Sequence, residues 1–327
     1  MEEKKKPRVH GGRDGIVQYP RLFFAALALA LLVTDPFRLG PLAGIDYRPV
    51  KHELAPYREV MARWPRDDGS RLRLGRLEFV GEVFGPESIE FDRYGRGPYA
   101  GLADGRVVRW MGEKTGWETF AVMSPDWDHL NILLEGEGTG RLLRYDPETN
   151  AVHVVLHGLV FPNGVQISDD QRFLLFSETT NCRIMRYWLE GPRAGQVEVF
   201  ADLPGFPDNV RLGSGGQFWV AIDCCRTAAQ EVFAKRPWLR TLYFKLPLTM
   251  RTLGKMVSSR MHTLVALLDG EGNVVEVLED RGGEVMQLVS EVREVGRKLW
   301  IGTVAHNHIA TIPYPLDQEQ RAWRGDS

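Results

Sequence analysis

Three short stretches of the chain place an oxygen-bearing side chain one residue after a proline. They read Gly85-Pro86-Glu87-Ser88-Ile89, Phe161-Pro162-Asn163-Gly164-Val165 and Phe206-Pro207-Asp208-Asn209-Val210. Each is a turn that leads through a carboxylate or carboxamide into a β-branched residue. In a repeat built from small sheets, equivalent turns all face one axis. Carboxylate and carboxamide oxygens converging on an axis suit a hard cation such as calcium. Singly, Asn before Gly and Asp before Asn are ordinary turn residues. The shared position after proline is what points to a metal.

Other chemistry-bearing residues carry weaker patterns. His306 and His308 lie two apart, so on a strand they share a face. His129, His153 and His157 lack metal-ligand spacing. Gly136, Gly138 and Gly140 form a flexible turn, because no Lys-Ser/Thr follows them as in a phosphate loop. Ser177, Glu178 and Glu231 are candidates to line a pocket. No G-x-S-x-G element occurs, which counts against an α/β-hydrolase mechanism.

The elements that must position these residues are strands. Apolar runs of four to seven residues recur from Leu77 onward, separated by polar turns such as Asp104-Gly105, Asp146-Pro147-Glu148 and Gly213-Ser214-Gly215-Gly216. This is the pattern of an all-β propeller rather than of βαβ units. Residues 228–260 break it with helix-forming composition and read as a partly helical insertion over one end of the propeller. With 327 residues, 43% of them hydrophobic and 26% charged, the chain can bury a sizeable core. A net charge of −2 excludes nucleic acid as the main partner, since no basic excess would neutralise phosphates.

The N-terminus is organised differently. Residues 22–33 are a continuous apolar run, preceded by Lys4, Lys5, Lys6, Arg8, Arg13 and Arg21 and ended by Asp35-Pro36. By length this is the apolar region of a signal peptide; a signal-anchor holding the chain in the membrane is the competing reading. Either one sends the rest of the chain into the endomembrane lumen, endoplasmic reticulum or vacuole. The expected organisation is a signal or anchor over 1–35, a lead-in over 36–75, a propeller over 76–315 and a polar tail over 316–327. The cysteines are Cys182, Cys224 and Cys225. Adjacent cysteines rarely bond each other, which leaves a bridge to Cys182 or three buried free thiols.

Several stretches together resemble the strictosidine synthase-like family. They are Gly116-Trp117-Glu118-Thr119-Phe120, Glu137-Gly138-Thr139-Gly140-Arg141, Phe161-Pro162-Asn163-Gly164-Val165, Ser177-Glu178-Thr179-Thr180, Gly205-Phe206-Pro207-Asp208-Asn209, Arg236-Pro237-Trp238 and Ile301-Gly302-Thr303. The resemblance implies a six-bladed β-propeller behind an N-terminal signal or anchor. In the hydrolytic relatives of this family an axial calcium takes a glutamate, two separate asparagines and an Asp-Asn pair. The resemblance maps these to Glu87, Asn163, Asp208 and Asn209, with Asp208 as ligand or nucleophile, and one asparagine has no counterpart. In the condensing members a glutamate is the acid/base. Alignment on Ile301-Gly302-Thr303 puts Ser290 there, and a serine hydroxyl cannot replace that group at neutral pH. Glu291 follows, but on a regular strand it would face the other way.

Spacing shows something missing. Pro162 and Pro207 are one blade apart, whereas Pro86 and Pro162 are less than two blades apart where the family implies about three steps. About one and a half blades are absent, with the join near Trp127-Asp128-His129. A propeller so shortened must close with fewer blades or expose a sheet edge, through which the chain would self-associate. Three function classes follow: a calcium-assisted hydrolase acting on a small-molecule ester or lactone, a Pictet–Spengler condensing enzyme disfavoured by Ser290, and a non-catalytic lumenal propeller.

Overall fold

The computed structural model describes residues 15–122, 136–258 and 262–316. The family-implied join at 127–129 and the candidate His129 lie outside the described residues, as does most of the polar tail. Among the described residues there are four four-stranded antiparallel sheets and one two-stranded sheet. Four complete blades and half of a fifth make an incomplete six-bladed propeller, as the spacing expected.

The first blade is β1–β4 in the order Ser88–Glu90, Tyr99–Gly101, Arg106–Trp110 and Trp117–Val122. The half blade is β5 (Gly140–Asp146) and β6 (Ala151–Leu159). The next blade holds β7 (Pro162–Ile167), β8 (Phe173–Glu178), β9 (Arg183–Trp188) and β10 (Val197–Asp202). Then come β11 (Phe206–Leu212), β12 (Phe218–Cys224), β13 (His262–Leu268) and β14 (Val274–Asp280). The last blade holds β15 (Val289–Val295), β16 (Lys298–Thr303) and β17 (Ile309–Pro313), and Arg76–Glu78 supplies its outer strand by pairing with β17. One blade is thus built from both ends of the propeller sequence.

Buried side chains between successive blades hold the arc together. Phe173, Leu175 and Ile184 pack with Val210, Phe218 and Val220. Trp219, Ala221 and Val265 pack with Val289, Val292 and Ile301. Ile309 of the last blade meets Ile89, Ala100 and Val108 of the first. Leu142 and Leu159 of the half blade lie against Leu174 and Phe176. Among the described residues, the other faces of the first blade and the half blade have no such partner: Phe120 (64%), Val122 (71%), Tyr145 (58%) and Val152 (62%) stand exposed. These are side chains that blade-on-blade packing would bury.

Residues 36–75 contain more order than their composition suggests. A short helix, Tyr57–Arg63, and a 3₁₀ turn, Arg71–Leu74, put Val60, Trp64 and Leu72 into the interblade core. The segment is locked by Asp67, whose carboxylate accepts from Arg71 N (2.7 Å), Arg71 Nε (2.9 Å) and Glu279 N (2.8 Å). Arg71 also donates to Glu276 (2.7 Å) and to the Val277 carbonyl (2.6 Å). Asp67 is almost fully buried, so Arg71→Ala strands its charge and is expected to cost about 3 kcal/mol in denaturant unfolding.

The insertion is helical, with segments Ala228–Lys235, Pro237–Phe244 and Met250–Ser258. Thr227 and Gln230 form a reciprocal capping box at the first, and Pro237 opens the second, where its missing N–H has no cost.

The N-terminal helix, Gly15–Thr34, overturns the signal-anchor reading and the membrane contact it implied. No helix among the described residues is long and apolar enough to cross a membrane. The helix has the length, but its uninterrupted apolar run, residues 22–33, spans only about 18 Å. Its C-terminal end is tied to the insertion, where Lys245 Nζ donates to the Val33 carbonyl (2.6 Å), a cation at the end of a helix where the dipole favours it.

Candidate functional site

The innermost strands β1, β7, β11 and β15 bring the sequence-derived oxygen residues to one place. Three of them share an irregularity at the same position. The ladder breaks between Pro162 and Val165 in β7, between Pro207 and Val210 in β11, and between Val289 and Glu291 in β15. A bulge frees residues from the ladder and re-aims their side chains. The freed residues are Asn163, Asp208, Asn209 and Ser290.

Local sequence explains how these turns are held. Gly85 has φ +56°, and a Cβ there would lie 2.7 Å from that of Ala103. Pro86 accepts from Thr303 N (3.0 Å), and Glu87 N donates to the Gly101 carbonyl (2.9 Å). Gly302 lets this turn approach, because a Cβ on it would sit 2.5 Å from the Pro86 oxygen. The Ser177-Glu178-Thr179 stretch does the same for β11. Thr179 Oγ1 donates to the Pro207 carbonyl (2.7 Å) and Ser177 Oγ to the Asp208 carbonyl (2.6 Å). Glu178 is engaged elsewhere, with Val160 N (3.0 Å) and Arg183 Nε (2.7 Å). Ser177 therefore helps to hold the turn rather than to line it, and Glu178 is tied to Arg183.

Asp208 is the centre of the group. Asn163 hydrogen-bonds its carboxylate, and Glu87, Asp223 and Glu291 are close enough to repel it. Burial, followed by those three charges, holds its carboxyl well above the ordinary carboxylate range. Its Oδ1 is buried with no hydrogen-bond partner. Asn209 is buried and donates through Nδ2 to Ser88 Oγ (3.3 Å), beside Glu87. Glu87 itself is exposed. Asn163 thus bonds Asp208, Glu87 lies near enough to act on it, and Asn209 reaches the residue next to Glu87.

Two further carboxylates join them that the motifs did not identify. Asp223 sits opposite Phe206 at the end of β12, and burial pushes it up to about 7 against the Val289 N–H that it accepts. Glu291 is fully buried and also raised to about 7, by burial against the opposing pull of Arg211. It accepts from Arg211 (2.7 Å), Ile89 N (3.3 Å) and Val292 N (3.0 Å). Alternation along a regular strand would turn Glu291 away from Ser290. The bulge interrupts that alternation: Ser290 Oγ donates to the carbonyl of Glu87, just before β1 (2.8 Å), and Glu291 accepts from Ile89 N within β1 (3.3 Å). The sequence signal for Asp223 was its place one blade strand after the Asp208 turn; for Glu291 it was the pairing with Arg211, which only the fold reveals.

The remaining candidates are structural or separate. His306 and His308 lie in a loop with ring centres 5.1 Å apart; His306 Nε2 accepts from Gln287 N (3.2 Å), and His308 Nε2 bonds the Val285 carbonyl (3.0 Å). Glu231 pairs with Lys235 (2.8 Å) on the helical insertion. Cys224 and Cys225 form a disulfide with each other, contrary to the expectation for adjacent cysteines, and Cys182 is a buried free thiol raised to about 12 by that burial.

The donor set fits a hard cation. Carboxylate and carboxamide side chains neighbour one another there, one carboxylate oxygen of Asp208 is buried and unsatisfied, and nearby carboxylates disfavour its ionisation, which a divalent ion would offset.

The chain as a whole is similar to known proteins. Residues 72–110 match the model described as strictosidine synthase-like, N-terminal, and residues 120–192 the one described as strictosidine synthase. Strictosidine synthase-like protein 13 of Arabidopsis thaliana is 46% identical, covering 98% of this chain and 100% of the relative. That alignment runs over 417 positions against the 327 residues here, so the relative has segments that this chain lacks. The adipocyte plasma membrane-associated protein of Danio rerio is 35% identical over 64% of this chain and 49% of its own. Among solved structures, the calcium-binding protein regucalcin of Agrobacterium tumefaciens superposes with a TM-score of 0.44 at 12% identity, over 72% of this chain and 90% of that one.

Proposed function

The chain belongs to the strictosidine synthase-like family, and from that premise we propose that it is a calcium-assisted hydrolase of small esters or lactones working at the axial carboxylates. The observation that carries this reading is the buried, unpartnered Oδ1 of Asp208 within a group of carboxylates that repel it. A protein gains nothing in stability from such a group, whereas a cation site requires it.

Glu87, Asn163, Asp208 and Asn209 would hold the ion, with water in the positions that the shortened propeller leaves unfilled. When bound, calcium supplies Lewis-acid polarisation of a carbonyl oxygen. Glu87 is exposed and marks the side from which a substrate reaches the cluster. Asp223 and Glu291 exchange protons near neutral pH, the range that a general acid or base needs. Ser290 has its hydroxyl committed to the Glu87 carbonyl, which speaks against the condensing chemistry that needs a carboxyl there.

The test is hydrolysis of a panel of aryl esters and lactones with calcium and with a chelator. Turnover that requires calcium is expected. A folded protein that turns over none of them, or does so equally in chelator, contradicts the proposal.

A further inference from the structure

A second group of potential ligands lies apart from the axial carboxylates. Register places His262 directly opposite Cys224 across β12 and β13, and Cys225 follows at the strand end. One ring nitrogen of His262 and the two sulfurs all lie within 4.8 Å of one another. His262 Nε2 is buried without a hydrogen-bond partner, and it sits 3.6 Å from Glu279 Oε2, a carboxylate that Arg281 also engages. A carboxylate beside an imidazole is the usual support for a metal-binding histidine.

The group also has an opening. A cavity of about 470 Å³ is lined by Cys225, His262 and Glu279 together with Tyr57, Met61 and Trp64. None of the axial residues lines it. Two sulfurs and an imidazole with one open side match the ligand set of a three-ligand zinc centre, whose fourth position takes water or a ligand. The disulfide masks this set, since only thiolates bind the metal.

We propose that reduction of the Cys224–Cys225 bond creates a zinc-type site of Cys224, Cys225 and His262, with its fourth position facing the cavity. The balance is simple. A dithiol reductant gives two electrons and two protons to the two sulfurs and becomes a disulfide itself. Metal binding then displaces the two thiol protons, so it weakens as pH falls. The site is a redox-gated one: oxidised, it is a closed disulfide on the cavity wall; reduced, it is a cation site.

The experiment uses the full chain, reduced and then freed of reductant without air, and titrated with cobalt and zinc. One thiolate-bound cobalt per chain, read by its sulfur-to-cobalt charge-transfer absorption, is expected, displaced by zinc. The oxidised protein should show none. Cys225→Ser should abolish the absorption, and His262→Gln, which leaves the cysteines in place, should weaken binding by about tenfold or more. Asp208→Asn should leave it unchanged, which separates this site from the axial one. No cobalt absorption in the reduced protein overturns the proposal. So does equal absorption after Cys225→Ser, or binding insensitive to His262→Gln. Circular dichroism on each variant confirms that the fold persists, and His262→Gln alone decides the matter if the cysteine variants do not fold.

Discussion

Asp208→Asn is expected to stabilise the calcium-free protein and to remove its response to calcium. In the free protein the Asp208 carboxyl is buried among Glu87, Asp223 and Glu291 with one oxygen unsatisfied. An amide keeps the size, cannot ionise and adds a second donor hydrogen that can satisfy neighbouring carboxylates. The expected gain is on the order of 1–2 kcal/mol, the cost of a buried unpaired polar group. Function moves the other way. The variant loses the central anionic ligand, and calcium-dependent hydrolysis should fall about 100-fold or more, equivalent to roughly 2.7 kcal/mol in the barrier. Opposite signs for stability and activity are the mark of a binding group held against the interests of the fold. A purely structural aspartate would lose stability on the same change. Denaturant melts in chelator, paired with rates in calcium, read both signs.

Arg211→Ala is expected to be the most damaging single change to the fold. Glu291 is inaccessible to solvent, and Arg211 is the cation that reaches it, at 2.7 Å. Truncation leaves a buried carboxylate with only backbone donors, a loss of about 3–5 kcal/mol. That is a large share of the stability of an ordinary domain. Arg211→Ala with Glu291→Gln should recover part of the loss, because the stranded charge is gone.

The pH dependence follows with a definite sign. The folded protein holds Glu291 and Asp223 at about 7, above their ordinary values. A group raised on folding favours the native state fully below its unfolded value, and the benefit disappears as pH rises through the folded one. The calcium-free protein should therefore melt at a higher temperature near pH 5 than near pH 8. The Arg211→Ala protein should show the steeper fall. Melts across this range check both; a flat or rising profile in chelator would contradict the charge assignment.

Much of the architecture was legible because it rests on local rules. Short alternating runs and turn residues specify strands, and the distance between Pro162 and Pro207 specifies a blade. The same spacing, set against the blade steps that the resemblance implies, pointed to a missing blade and a half. Of the four candidate ligands, Asn209 was added by the family resemblance, and Glu87, Asn163 and Asp208 were legible because each follows a proline at an equivalent turn. Asp223 and Glu291 were not, since their importance depends on which strands become neighbours. Glu291 was also misplaced by strand alternation, a rule that the bulge at Ser290 suspends. The Cys224–Cys225 bond ran against the general rarity of such pairs. The N-terminal apolar run invited a membrane reading that its length in the helix does not sustain.

The most direct test of the central claim, an axial calcium site that survives in the incomplete propeller, is calorimetric titration of the oxidised protein with calcium near pH 7.5. One site per chain is predicted in the wild type and none in Asp208→Asn, with both proteins folded. Equal binding in the two, or none in a folded wild type, would contradict it.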